Sequence, residues 1–144
     1  MLNKTNNTKN SIANKYSNII KGLENIFEKI KKELLTKKEL SRDNFKVWEE
    51  KNQHLVHGFA WIATYIEALR QINEWGIELK NKNKLNEFEQ LILDISFIEY
   101  ISQILNGIPM SQTEFIKITD FESINKNDEL KINENFNFSN VSKL

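Results

Sequence analysis

Residues 55–75 read Leu55-Val56-His57-Gly58-Phe59-Ala60-Trp61-Ile62-Ala63-Thr64-Tyr65-Ile66-Glu67-Ala68-Leu69-Arg70-Gln71-Ile72-Asn73-Glu74-Trp75. Leu55, Phe59, Ile62, Ile66, Leu69 and Ile72 recur at three- and four-residue steps, the period of an α-helix. Val56, Ala60, Trp61, Ala63, Tyr65, Ala68 and Trp75 fill the other faces, leaving Glu67, Arg70 and Glu74 as the wettest strip. A helix that is apolar nearly all round is central and touched by several neighbours. Phe59 and Trp61 are therefore expected in the core. The run has more apolar faces than two neighbours cover, so an apolar patch along 55–75 is expected, closed by self-association or by a partner.

Working outward, Phe45 and Trp48 extend the same phase, so the helix is read as 45–80. Ser41-Arg42-Asp43-Asn44 supplies capping side chains before it. An earlier helix is read over 12–35, where Ile19, Leu23, Ile26, Ile30 and Leu34 share one face; Gly22 weakens it by about 1 kcal/mol relative to Ala. After a polar connector at 80–84, a third helix spans 85–105 on Phe88, Leu91, Ile92, Ile95, Ile98 and Leu105. Its acidic start (Glu87, Glu89, Asp94) suits the positive end of the helix dipole. Gly107 is expected to give a left-handed cap, and Pro109 stops the helix. Ser111-Gln112-Thr113-Glu114 has the form of a capping box, yet Phe115-Ile116-Lys117-Ile118 alternates like an extended segment, and both conformations stay open. The expected fold is all-α, a small antiparallel bundle of three main helices. Residues 1–11 are expected to be a disordered tail, 12–120 the helical domain and 121–144 a weakly ordered polar tail.

Composition narrows the function. The chain has 144 residues, enough for one domain. Lys and Arg total 20, Asp and Glu 20, and the formal net charge is +0. No overall field draws the protein to nucleic acid or an anionic membrane. The basic stretch Lys29, Lys31, Lys32, Lys37 and Lys38 is interrupted by Glu28, Glu33 and Glu39 and reads as a solvated helix face. Cys is absent, which removes disulfides, thiolate nucleophiles and Cys-held zinc. No secretory h-region begins the sequence and no apolar run approaches the about 20 residues of a membrane span, so a cytoplasmic protein is expected.

His54 and His57 lie three apart and share a helix face. A zinc site would need two more ligands from Asp or Glu. A di-iron bundle needs Glu three residues before each His; those positions hold Lys51 and His54. A small metalloprotein using this pair is thus disfavoured against two polar residues at the start of a helix. Glu67, Tyr65, Arg70, Glu99 and Tyr100 are polar groups in apolar helices. A buried Glu among them would be a candidate base, but an ion pair across helices, or Glu67 with Arg70 along one turn, explains them more simply. Trp48, Trp61 and Trp75 at helical spacing read as packing residues. No phosphate-binding Gly loop, nucleophile elbow or zinc-protease motif is present.

The middle of the chain also carries a resemblance. Gln53-His54-Leu55-Val56-His57-Gly58-Phe59-Ala60-Trp61-Ile62-Ala63-Thr64-Tyr65-Ile66-Glu67-Ala68-Leu69-Arg70-Gln71 resembles the helical N-terminal extension of bacterial acyl-CoA dehydrogenases of the methylsuccinyl-CoA dehydrogenase type. Phe88-Glu89-Gln90-Leu91-Ile92-Leu93 and Glu99-Tyr100 are similar to its next helix. Gly107-Ile108-Pro109-Met110-Ser111-Gln112-Thr113-Glu114 is similar to the connector into the dehydrogenase body. Together these cover about residues 47–120. The resemblance implies a flavoenzyme that oxidises an acyl-CoA to an enoyl-CoA with FAD and a carboxylate base, both held in the body that follows the extension. Nothing up to Leu144 matches that family's catalytic Glu or flavin-binding segments. No catalytic, cofactor-binding or metal-binding residue is assigned, and FAD is implied for the full-length family enzyme and not for this chain. The resulting expectation is a helical accessory domain docking on a separately encoded dehydrogenase body. The alternative is a self-contained, homo-oligomeric helical interaction protein without flavoenzyme activity.

Overall fold

A computed structural model describes the backbone of residues 3–135 and the side chains of residues 15–132. The architecture is all-α apart from one very small sheet. Helix α1 spans Asn3–Leu40, α2 Phe45–Lys51, α3 Gln53–Asn81, α4 Glu87–Asn106 and α5 Lys126–Asn135. Strands β1 (Ile108–Pro109) and β2 (Phe115–Ile116) and a 3-10 turn at Ile118–Asp120 lie between α4 and α5. Helix α1 starts earlier than the expected residue 12, at Asn3; residues 1 and 2 and the tail beyond 135 lie outside the described residues.

The apolar periods put the helices together. On α1, Tyr16, Ile19, Ile20, Leu23, Ile26, Ile30 and Leu34 are buried, one side of the helix. They meet α3, which runs antiparallel: Ser17 lies by Asn73, Glu24 by Arg70, and the Phe27 and Phe59 rings stack at 4.5 Å. Helix α4 returns antiparallel on another flank of α3, with Leu93 against Gly76 and Tyr100 and Gln103 against Tyr65. A single core joins α1, α3, α4 and the segment from Ile108 to Ile132.

The expected helix 45–80 is two helices. Asn44 caps α2 by accepting from the Val47 N–H (3.0 Å). At Asn52 the backbone leaves helical geometry (φ −115°, ψ 20°), and its side-chain amide donates to the Trp48 carbonyl (2.8 Å). Asn is a residue whose side chain competes with the helix for such carbonyls. Trp48 on the short α2 is buried. Helix α4 opens with a capping box. Asn86 accepts from the Phe88 and Glu89 N–H groups, and the Glu89 carboxylate accepts from the Asn86 N–H.

Gly107 has φ 135° and ψ 119°, a more open conformation than the left-handed cap expected there. Of the two readings left open for 111–118, the extended one holds. β1 and β2 pair antiparallel, Ile108 opposite Ile116 and Pro109 opposite Phe115. Ile108 and Ile116 point into the core and Phe115 out. Past Asp120, in the stretch read from sequence as a polar tail, Phe121, Ile124 and Ile132 are also core residues. The segment is tied to α1. The Ser123 N–H donates to Glu33 (2.7 Å), Lys37 pairs with Glu33 (2.9 Å) and Glu122 (3.0 Å), and Lys29 pairs with Asp128 (2.5 Å). Asn125 and Asp128 exchange capping bonds at the start of α5.

Candidate interaction surface

Helix α4 has an inner and an outer face of unusual chemistry. Leu93, Phe97, Ile101, Ile104 and Leu105 are buried. Half a turn round the helix, Phe88, Leu91, Ile92 and Ile95 face solvent, with Phe88 67% and Ile95 53% exposed. These four occupy adjacent positions over about two turns, so they form one patch and not scattered apolar residues. Glu99 and Asn106 end it toward the C-terminus. Helix α4 carries Glu87, Glu89, Asp94 and Glu99 and no Lys or Arg; the connector before it holds the exposed Lys82 and Lys84. Glu87 and Glu99, both exposed, flank the apolar centre at its two ends, while Asp94 turns inward to Tyr16 and Glu89 to the helix cap.

The apolar patch expected along 55–75 is not on α3. The exposed positions of α3 include Gln53, His57, Ala60, Thr64, Glu67, Gln71, Glu74 and Glu78, all polar but Ala60. Leu55, Val56, Phe59, Trp61, Tyr65, Ile72 and Trp75 pack against the core as half-buried residues. Phe59 and Trp61, expected in the core, pack against it as partly buried residues at its margin. No apolar patch is left on α3 because it is covered on more than two sides, by α1, by α4 and by β2, whose Ile116 presses on Gly58.

Behind the α4 surface a polar seam locks α1 to α4. The Tyr16 hydroxyl donates to Asp94 Oδ1 (2.6 Å) and accepts from Gln90 Nε2 (2.9 Å). Tyr16 is buried and packs on Phe97 with ring centroids 4.4 Å apart. Burial, followed by the hydrogen bond to the Asp94 carboxylate, raises the Tyr16 pKa far above its ordinary value, so the phenol stays protonated and donating. Next to it, a hollow of about 290 Å³ opens between α1, α3 and the start of α4, lined mainly by apolar atoms of Ile77, Leu85 and Leu93 with Asn73 and Gln90. Asn73 is buried and its amide donates to Ser17 (3.3 Å). Sequence reading missed Tyr16 and Asn73 and took Asp94 only as part of the acidic start of its helix. The available signal was phase: each lies on the buried side of its helix.

The residues singled out from the sequence are not brought into one site. His54 and His57 are exposed on α3, and His57 Nε2 accepts from the Trp61 indole N–H (3.2 Å). Among the described residues no group of three or more His, Cys, Asp or Glu is placed to hold a metal ion. Arg70 makes both ion pairs weighed for it, one across to Glu24 on α1 (2.6 Å) and one to Glu67 along the helix. All three side chains are substantially exposed, so these pairs contribute little stability. Tyr65 donates to Gln103 (2.6 Å), Gln103 donates to Glu99 (2.5 Å), and Tyr100 packs edge-on against Tyr65. Burial, then the neighbouring Tyr100 and Glu99 charges, raises the Tyr65 pKa. Trp48 is buried and Trp75 half-buried. These groups stitch helices together.

Among the described residues no helix is long and apolar enough to cross a membrane. No family model matches the chain. A stretch of 71 residues is 46% identical to (2S)-methylsuccinyl-CoA dehydrogenase of Cereibacter sphaeroides, covering 49% of this chain and 13% of that enzyme. The chain thus spans only a small part of the relative's length, and about half of it resembles a segment of an acyl-CoA dehydrogenase.

Proposed function

We propose that the chain is a helical accessory domain of an acyl-CoA dehydrogenase system, acting in the cytoplasm by docking on a dehydrogenase body. The 46% identity over 71 residues to a segment of a much larger enzyme carries this reading. A segment that is 13% of an enzyme sits beside far more protein than itself, and the solvent-facing apolar patch on α4 gives such a neighbour something to cover. FAD and acyl-CoA oxidation belong to the body in this proposal. The polar groups of the chain serve packing: Tyr16, Asp94, Tyr65 and Gln103 are committed to one another across helices.

The test is the purified chain by itself. It should show no flavin absorbance and no oxidation of methylsuccinyl-CoA with an artificial electron acceptor. FAD retained at one equivalent through gel filtration would overturn the accessory reading and make the chain a flavin-binding unit.

A further inference from the structure

We infer that the N-terminal half of α4 is the docking face for the dehydrogenase body, and that the body meets it with an apolar centre rimmed by Lys or Arg. The inference rests on the accessory reading and deepens it by naming the surface and its complement. Three observations carry it. Phe88 and Ile95 are largely exposed, and Leu91 and Ile92 more than one-third exposed, on a helix whose other side is packed, so the core formed by the described residues does not use them. Their neighbours on the helix are Glu87 and Glu99, both exposed, and α4 has no basic residue. The Asn86–Glu89 capping box and the Tyr16–Asp94 bond hold this half of the helix in place, so the face is presented by a fixed element and little ordering entropy opposes binding.

The charge decides between occupants. A two-fold dimer through this face would set the patch against itself, since such interfaces are isologous. Glu87 and Glu99, the exposed charges of α4 beside the patch, would then face the same acidic groups of the other copy, and like charges across an interface are unfavourable. A partner with a basic rim gains on both counts, from apolar burial at the centre and from charge complementarity at the edge. The similar enzyme, in which the matching segment is a minor part, supplies a large neighbouring surface.

The probe is the Cereibacter sphaeroides methylsuccinyl-CoA dehydrogenase with its own matching 71-residue segment deleted, accepted for use only if it is folded by circular dichroism. Sedimentation velocity of the full chain with this protein should show a complex. Ile95→Gln and, separately, Phe88→Gln should weaken it about tenfold or more, as expected for the centre of an interface. Glu99→Lys should weaken it and flatten its salt dependence. Leu35→Gln, which removes an exposed apolar side chain on α1, should leave it unchanged. The variants are at exposed positions, and unchanged thermal melts would show that each is folded. A complex that ignores Ile95→Gln, Phe88→Gln and Glu99→Lys would overturn the assignment of this face while leaving docking intact. No complex at all with the folded body would remove docking and the face together. A chain dimer that Ile95→Gln dissociates would make a second copy the occupant and overturn the inference.

Discussion

The outward sides of α3 and α4 carry opposite chemistry, although both helices read from sequence as strongly apolar. Helix α3 shows Gln53, His57, Thr64, Glu67, Gln71, Glu74 and Glu78 to solvent. Helix α4 shows Phe88, Leu91, Ile92 and Ile95. The difference follows from how many neighbours each helix has. Helix α3 is packed by α1, α4 and β2, and its apolar residues are used on all three contacts. Helix α4 packs inward, and its second apolar face has no neighbour among the described residues. The amount of apolar surface on a helix therefore does not locate an interaction site. The phase of the apolar residues relative to the packed side does.

The most direct way to break this comparison lies within α4, two residues apart. Phe97 is fully buried against Tyr16, while Ile95 is 53% exposed. Phe97→Ala should cost about 3–5 kcal/mol, the range for removing a buried aromatic ring. Ile95→Ala should stay within about 0.5 kcal/mol, as surface changes do. Urea melts of the isolated chain measure both. A large loss at Ile95 would show that the outer face is already covered within the chain. Trp61→Ala on α3 should fall between them, at roughly 1–3 kcal/mol, because the indole is only half-buried.

Much of the bundle was legible because periodicity is a local signal. Every residue of the α1 stripe read from sequence is buried, and the apolar phase of α3 places Ile62, Ile66 and Leu69 in the core, whereas of the stripe read on α4 only Leu105 is buried. Three features were not legible, each for a physical reason. The break at Asn52 depends on one side-chain amide finding the Trp48 carbonyl, inside a run whose period continues unbroken. Residues Phe121, Ile124 and Ile132 are sparse within a polar stretch, and their burial depends on contacts with α1, about 90 residues away, through Glu33 and Lys29. The exposed α4 face was hidden because Phe88, Ile92 and Ile95 look like core residues until the side that packs is known. The apolar patch that the sequence places on α3 therefore lies one helix further on, at residues whose period reads as core.

The glycines of α3 sharpen the comparison from the packed side. A Cβ at Gly58 would lie 2.4 Å from Ile116 Cγ1 and 2.9 Å from its Cβ, and Ile116 is fully buried. A Cβ at Gly76 would meet the methyl ends of Leu93 at 2.8 and 2.9 Å. Gly58→Ala should cost about 1–3 kcal/mol, as overpacking does, because the atoms it displaces are close to the Ile116 backbone. Gly76→Ala should cost less, since the end of a flexible Leu can turn away. The reverse order would mean that β2 lies less firmly on α3 than α4 does.

A smaller effect should appear at the acid end, on the contact between α1 and α5. The Lys29 ammonium, hydrogen-bonded to Asp128, holds that carboxyl below its usual range; burial opposes the shift, and the Asn125 N–H assists it. The folded-state pKa is thus lower than that of the unfolded chain. The contribution is fully present above the unfolded value of about 4 and is lost as pH falls through the folded value. Asp128→Asn should melt below wild type at pH 7, and the gap should narrow below about pH 4. A gap that stays constant down to pH 2 would show that the ion pair does not anchor α5.

The smallest expected effect is a gain, at the glycine that has no neighbour. Gly22 lies within α1, and a Cβ there would have nothing within 4 Å. Its helical position therefore lacks the close approach that accounts for Gly58 and Gly76. Glycine costs about 0.5–1 kcal/mol relative to alanine in a helix interior, because the unfolded chain has more backbone freedom to lose. Gly22→Ala should accordingly raise stability by up to about 1 kcal/mol in urea denaturation, with an unchanged slope. The same substitution thus has opposite signs on two helices of one bundle, set by whether a neighbour presses on the backbone. Destabilisation by Gly22→Ala would show that a surface touches α1 at this point, and would place a second contact face on the side of the molecule where the structure leaves open space.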